Sequence, residues 1–362
     1  MLHMIIGGAG CGKSTRLIQL LQKQVSAGEH VLTLVPEQFS YEFDQKLYRI
    51  LGPIAFNQLE THSFKSMARA VFQRFGFVPD GRQNADDLTR TALLHEAVLC
   101  VSEREKKLGL LEKQCRQPLF IQELSAMFSQ FRRSGIQPEH LYASSASLSG
   151  RLQEKTLDLF EIYQKYDQLL EQHQLKDTES DLTEAAAIAN GQDAFLGDVL
   201  CLDEFESFTK DEYEMLSVLL SSCKEIYIAL RTDGTASTPF SLFQTVQDTM
   251  NQLTQMARKL HIPVETICCQ TPYRFQSVEL QWLNQHVFRS TQIFSGAAPH
   301  LHISEAQSPN EEADYVCATI RRLLAADPTL RCRDIAVLSN QMSDYKSILE
   351  TAMERYELPC YV

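Results

Sequence analysis

Apolar positions in the first 83 residues follow two alternating periods. Met4-Ile5-Ile6 is a short apolar run that reads as a strand and passes straight into glycines. From Ser14 to Val25, Leu17, Ile18, Leu20, Leu21 and Val25 recur at the 3.6-residue period of a helix with one buried face. Ser26-Ala27-Gly28 ends that helix. His30 to Val35 (HVLTLV) is a second apolar run, closed by Pro36. A strand, a helix and a second strand form a β-α-β unit, which predicts parallel pairing with helices on the faces of the sheet. Gln58 to Phe64 reads as a further strand end leading into a helix.

Between residues 84 and 188 the pattern becomes helical. Long periods such as Leu88 to Glu103 and Leu152 to His173 dominate, and glycine is rare. Strands return at Val199-Leu200-Cys201-Leu202 and at Glu225 to Leu230, with a helix from Tyr213 to Leu220 between them. A loop at Gly234 to Pro239 and a helix from Phe243 to Leu260 follow. A third unit starts near residue 300. Leu301 to Ser304 and Asp334 to Leu338 read as strands, and Glu311 to Leu324 and Tyr345 to Tyr356 as helices. Leu358 to Val362 reads as the start of another strand. The expected architecture is α/β: a sheet domain split into 1–83 and 189–298, an all-helical insertion at 84–188, and an incomplete unit at 299–362. Two strands and two helices do not close a domain, so a partial protein is expected.

Composition narrows the class. The chain has 362 residues, 44% apolar and 22% charged, as in an ordinary globular protein. No apolar run reaches the ~18 residues of a membrane helix, and the N-terminus lacks the basic start of a signal peptide. A cytoplasmic protein without membrane partners is expected. The ten cysteines are scattered, with no Cys-x-x-Cys spacing, which suggests reduced and mostly buried thiols. The net charge of −12 argues against a protein that simply coats DNA. The charge is uneven, however. Residues 1–77 hold eight Lys/Arg and five Asp/Glu, whereas 177–214 hold twelve Asp/Glu and one Lys. A local basic channel remains compatible with the acidic total.

The chemistry concentrates in Gly7-Gly8-Ala9-Gly10-Cys11-Gly12-Lys13-Ser14, a full match to G-x-x-x-x-G-K-[ST], followed by Thr15. Glycines let the backbone curl so that successive N–H groups face inward. Those donors and the following helix N-terminus suit phosphate oxygens. In such a loop Lys13 reaches the β- and γ-phosphates of ATP and the Ser14 hydroxyl ligates Mg²⁺. A second acidic site is needed, and Asp198 to Phe205 (DVLCLDEF) supplies an apolar strand ending in Asp-Glu. Asp203 suits the metal, and Glu204 suits polarisation of a water. A surface acidic loop after a core strand is the plainer alternative. The roughly 190 residues between the two sites argue against a compact nucleotide kinase.

Other features carry less. Ser147 to Gly150 faintly matches a transporter signature but precedes Asp203 by too much. His261, His300 and His302 do not form a metal spacing. Trp282, among Leu280, Leu283 and Val287, suits a core better than a base-stacking platform. Arg132-Arg133 and Lys106-Lys107 read as solvated helix faces.

The order of these motifs resembles the N-terminal part of the AddB family, one of the two components of bacterial AddAB helicase-nucleases. The resemblance spans nearly the whole chain. Ile5 to Thr15 (IIGGAGCGKST), Leu34 to Phe43 (LVPEQFSYEF), Thr61 to Ala68 (THSFKSMA) and Leu202 to Glu212 (LDEFESFTKDE) carry it, with Glu311 to Leu324 and Arg333 to Leu338 in addition. The phosphate loop alone is generic; the LVPEQ segment followed by THSF and D-x-F-x-x-F-T is more specific. The resemblance implies a UvrD-like superfamily 1 helicase fold. A RecA-like domain (1–83 and 189–298) would carry the helical insertion, and the start of a second RecA-like domain would follow at 299. It also implies processing of double-strand DNA ends for recombinational repair beside an AddA-like partner. A Mg²⁺-dependent nuclease domain with an iron-sulfur cluster is expected only in a C-terminal part beyond this chain. Thr61, His62, Ser63 and Phe64 are the candidates for DNA contact, against a plain helix cap and core Phe.

Several positions depart from an active helicase. Six residues before Gly7 leave no adenine-reading glutamine. No glutamine sensor follows Glu225 to Leu230, and Asn340 stands where related helicases have arginine. The arginine that would stabilise transition-state charge is expected beyond Val362 or absent. Family members often carry glycine after the metal aspartate, where this chain has Glu204. Three readings stay open: an end-processing component that binds ATP and DNA with weak motor activity, an active ATP-driven helicase, and an interaction scaffold with an empty loop. The first expects negligible ATP hydrolysis by this chain alone.

Overall fold

A computed structural model describes residues 1–75, 82–105, 107–115, 117–177, 181–232, 241–288 and 291–361. The loop expected at Gly234 to Pro239, Lys106 and Val362 lie outside the described residues. In chain order the first compact unit, Met1–Gln276, opens with β1 (Leu2–Gly7), α1 (Lys13–Ser26), β2 (Val31–Leu34), α2 (Ser40–Phe56), β3 (Leu59–His62) and α3 (Phe64–Arg74). The middle holds β4 (Gln83–Asn84), α4 (Asp87–Leu99), α5 (Pro118–Arg133), α6 (Pro138–Ser145), α7 (Gly150–Gln172), β5 (Leu175–Lys176) and α8 (Asp181–Gly191). It closes with β6 (Val199–Leu202), α9 (Lys210–Ser222), β7 (Glu225–Arg231), α10 (Gln244–Lys259) and β8 (Val264–Cys269).

Six strands form one sheet in the order β3-β2-β6-β7-β1-β8, and every pairing in it is parallel. Alternation along each strand sorts side chains to two faces. Ile5, Val31, Val199, Cys201, Tyr227 and Ala229 pack with Leu17, Ile18 and Leu21 of α1 and with Phe43 and Leu47 of α2. Leu2, Met4, Leu200, Leu202, Ile226 and Ile228 face the opposite core, built by α3, α8, α9 and α10. Each fully buried Leu or Ile of α1 contributes roughly 1.5–3 kcal/mol. The expected β-α-β start and parallel sheet are therefore present. β8, which sequence periodicity did not single out, adds an edge strand beside β1.

The middle residues build a separate helical core. Leu94, Val98, Leu124, Phe128, Ile162 and Tyr163 anchor it. The short parallel pair β4–β5 brings together its entry and exit. The last helix of the expected insertion behaves differently: Leu182, Ala185, Ala186 and Ala189 of α8 belong to the core of the main sheet. Arg132 is not on a solvated face; its side chain is 12% exposed and contacts Asp167 and Asp177. Arg133 and Lys107 are exposed, and Lys107 pairs with Glu105 and Glu161.

The second compact unit is Ser277–Val362. It holds α11 (Val278–His286), α12 (Pro309–Ala326) and α13 (Met342–Arg355). Ala313, Cys317 and Ile320 of α12 pack on Leu349, Ala352 and Met353 of α13. The strands expected at Leu301 to Ser304, Asp334 to Leu338 and Leu358 onward do not form. Ile303 and Leu338 are 99% and 90% exposed. A strand needs a neighbour for its N–H and C=O groups, and among the described residues none lies alongside. Trp282 is half-buried, stacked on His286 at 4.6 Å and beside Phe294 at 5.5 Å.

All ten cysteines are free thiols, six of them buried. Among the described residues no group of three or more His, Cys, Asp or Glu is arranged to hold a metal, and no helix is long and apolar enough to cross a membrane.

Candidate functional site

Parallel strands bring their C-terminal ends to one edge of the sheet, where ligands of open α/β sheets sit. A cavity of about 1610 Å³ opens there, lined by Ala9 to Thr15, by Asp203 and Glu204 after β6, by Arg231 at the end of β7, and by Gln270, Thr271, Tyr273 and Arg274 after β8. Every one of these elements lies in the first compact unit.

The loop of Gly7 to Gly12 joins β1 to α1. Gly7 sits between two strands, in register with Arg231 on one side and Cys269 on the other. A Cβ on Gly7 would lie 2.5 Å from the Cys269 carbonyl oxygen. Gly10 has φ +71°, and a Cβ there would lie 2.4 Å from the Arg274 Cβ. The Gly10 carbonyl accepts from the Tyr273 N–H at 3.0 Å. Gly12 is the left-handed residue before α1. The Cys11 side chain is buried, turned down toward Gly7, while Gly8 and Ala9 are half-buried and Thr15 is exposed in the first turn of α1.

Lys13 is the first residue of α1, and its Nζ donates to the Gly8 carbonyl at 2.9 Å. Burial pushes its pKa down, partly offset by Cys11 and Asp203, and Arg231 adds to the lowering. On β6, Val199 and Cys201 face the α1 side, so Asp203 emerges on that side too. Its N–H donates to the Leu34 carbonyl at 3.2 Å, which fixes it against β2. Burial is the largest influence on its carboxyl and raises the pKa, opposed by a hydrogen bond from Ser14. One carboxylate oxygen accepts the Glu204 N–H at 2.9 Å, and the other, Oδ2, is buried without a partner. A buried oxygen with no donor is costly unless something charged satisfies it. Together with the Ser14 hydroxyl it makes an oxygen set suited to a hard divalent cation.

Glu204 is exposed and has φ +64°. A non-glycine residue there carries strain of order 1–3 kcal/mol, which accumulates at functional sites.

The four candidates for DNA contact are close in sequence but face different surroundings. Thr61 Oγ1 accepts from Thr33 Oγ1 at 2.8 Å. The His62 ring lies 3.3 Å from a Glu60 carboxylate oxygen. Ser63 caps α3, its Oγ accepting the Ser66 N–H at 3.2 Å. Phe64 is buried against Phe205 and Phe208.

Sequence reading missed Arg231, Tyr273 and Arg274. The two arginines supply cationic charge at the cavity from within this chain. Their only sequence signal is positional: each follows a strand end on the cavity edge, and the mixed polar and apolar run of β8 does not mark it as a strand.

A family model described as ADDB, N-terminal, matches residues 4–284. The chain is 26% identical over 371 residues to the second, or B, component of an ATP-dependent helicase/deoxyribonuclease from Thermoanaerobacter sp. (strain X514). It is 26% identical over 376 residues to the protein of the same name from Clostridium tetani, and 24% over 370 residues to that of Clostridium acetobutylicum. Each match covers all of this chain and 32% of the relative, so the chain spans about a third of their length. With a glycine-rich loop and an acidic strand end at one cavity, the family match over residues 4–284 carries the conclusion: the chain belongs to the AddB N-terminal family.

Proposed function

We propose that this chain is the ATP- and DNA-handling front of an AddB-type protein, acting with an AddA-like partner at double-strand DNA ends, and that its motor activity is weak. The observation that carries the nucleotide reading is the trio at the head of α1: Lys13 over the loop, Ser14 against Asp203, and an Asp203 oxygen left buried and unpaired. In this reading the loop amides and Lys13 hold the β- and γ-phosphates of ATP. Ser14 and Asp203 hold Mg²⁺, which neutralises phosphate charge when bound. The loop after β1, the parallel sheet and the inserted helices support a RecA-like core of the UvrD type. The basic excess of residues 1–77 supports a DNA-facing surface near Thr61 to Phe64.

Calorimetry with Mg²⁺ and a slowly hydrolysed ATP analogue tests this. The wild-type chain should bind in a Mg²⁺-dependent manner, and Lys13→Ala should lower affinity by about 100-fold or more. Binding that ignores both Mg²⁺ and Lys13 would refute the assignment. An active helicase is the second reading, favoured by the strained Glu204 carboxylate beside Asp203. It requires DNA-stimulated ATP turnover that Lys13→Ala abolishes.

A further inference from the structure

Arg231 ends β7 where that strand opens onto the cavity. Register fixes its place: it pairs with Gly7, the first residue of the loop, and the next N–H, that of Thr232, donates to the Gly7 carbonyl at 3.1 Å. Parity fixes its direction. Tyr227 and Ala229 face the α1 core and Ile226, Ile228 and Leu230 the other, so Arg231 emerges on the side of Lys13 and Asp203. Its charge is close enough to Lys13 to add to the lowering of that residue's pKa.

The Arg231 guanidinium is ion-paired with Glu206. Glu206 also lines the cavity, and its backbone carbonyl accepts from Thr249 Oγ1 on α10 at 2.9 Å. The acid is thus anchored by its main chain. Both side chains are about half exposed, at 56% and 54%. Such a solvent-facing pair is weak and exchanges readily for a better anion. A terminal phosphate offers more charge than a carboxylate and more acceptor oxygens for the guanidinium fork.

We propose, on the basis of the nucleotide reading above, that Arg231 reads the terminal phosphate of a nucleoside triphosphate and that Glu206 holds it in reserve until that phosphate arrives. A diphosphate lacks the group that displaces Glu206, so the pair makes the site discriminate triphosphate from diphosphate.

Calorimetry on the full 362-residue chain with Mg²⁺ and either ATPγS or ADP tests the assignment. Arg231→Ala should weaken ATPγS about tenfold and leave ADP within about twofold, with Arg231→Lys between, because a charged hydrogen bond is lost for one ligand only. Glu206→Gln should strengthen ATPγS about threefold, and that gain should vanish in the double variant, the signature of a coupled pair. Equal loss for both nucleotides, no loss for either, or a Glu206→Gln gain that survives without Arg231 would overturn the inference. If wild type binds through Lys13 but Arg231→Ala leaves the ATPγS/ADP ratio unchanged, only this inference falls. If wild type binds neither nucleotide, the nucleotide reading falls and takes this one with it. Circular dichroism establishes folding of Arg231→Ala; were it unfolded, the Arg231→Lys and Glu206→Gln measurements decide the outcome by the same ratios.

Discussion

Of the places in the first compact unit that bury charge, two do so in contrasting ways. In the helical middle, Arg132 contacts Asp167 and lies 3.2 Å from Asp177, over the rings of Tyr163 and Tyr166 at 5.4 and 5.7 Å. Tyr166 donates to Asp177 at 3.3 Å, and Arg90 stands 3.6 Å from the same carboxylate. Each carboxylate here faces an arginine of the protein, although the buried Arg132 Nε makes no hydrogen bond of its own. At the cavity, Asp203 is comparably buried and lines the open space, yet its Oδ2 is buried with no donor. The first arrangement holds α5, α7 and the segment after β5 in one geometry. The second leaves a carboxylate oxygen that the chain itself does not satisfy.

The largest test of this contrast is Arg132→Ala. It leaves Asp167 and Asp177 without their main counter-charge, and breaking a buried pair in this way costs about 3–5 kcal/mol. Urea denaturation should show that loss while ATP-analogue affinity stays within about twofold. A loss below about 1 kcal/mol would erase the distinction between the two regions.

Acid titration sharpens it next. Burial, the largest influence, raises the Asp167 carboxyl to about 6 from the ordinary 3.8, despite Arg132, with Asp177 and Glu139 pushing the same way. The folded chain therefore keeps this proton longer than the unfolded chain does. Stability contributed by this group falls as pH rises from about 4 to about 6 and levels off above, by an amount on the order of 3 kcal/mol. Denaturation curves of wild type and Asp167→Asn across that window should converge toward low pH and separate above it. A constant difference between them would mean that Asp167 does not titrate there.

The smallest effect belongs to the cavity. Glu204→Gly should raise stability by about 0.5–1 kcal/mol, since glycine accepts the left-handed backbone without a Cβ clash. Glu204→Ala keeps the Cβ and should show no such gain in thermal unfolding. Equal melting of the two variants would show that Glu204 is unstrained.

Much of this was legible in the sequence because it is local. A glycine loop between an apolar strand and an amphipathic helix depends on adjacent residues, and so does the Val199 to Leu202 run ending in Asp203. What escaped depends on partners distant in sequence. β8 carries the mixed run Val264-Glu265-Thr266-Ile267, which becomes a strand only because β1 offers its free edge. Arg132 looks like a surface charge until α7 places Asp167 beside it. Leu301 to Ser304 shows the reverse: strand-like residues remain irregular where no neighbour among the described residues completes the ladder. Ser63 and Phe64 had two meanings in sequence, and the fold gives them a capping and a core role without touching the question of DNA at Thr61 and His62.

The crowding around Gly7 and Gly10 bears on how such proteins diverge. Position 7 is closed by the main chain of Cys269, and position 10 by both its left-handed backbone and the Arg274 side chain. Selection for fold integrity alone would preserve both glycines, whether or not the cavity holds a ligand. Retention of the two would therefore be no record of chemistry, and a test of the proposed nucleotide reading belongs at Lys13, Glu204 and Arg231.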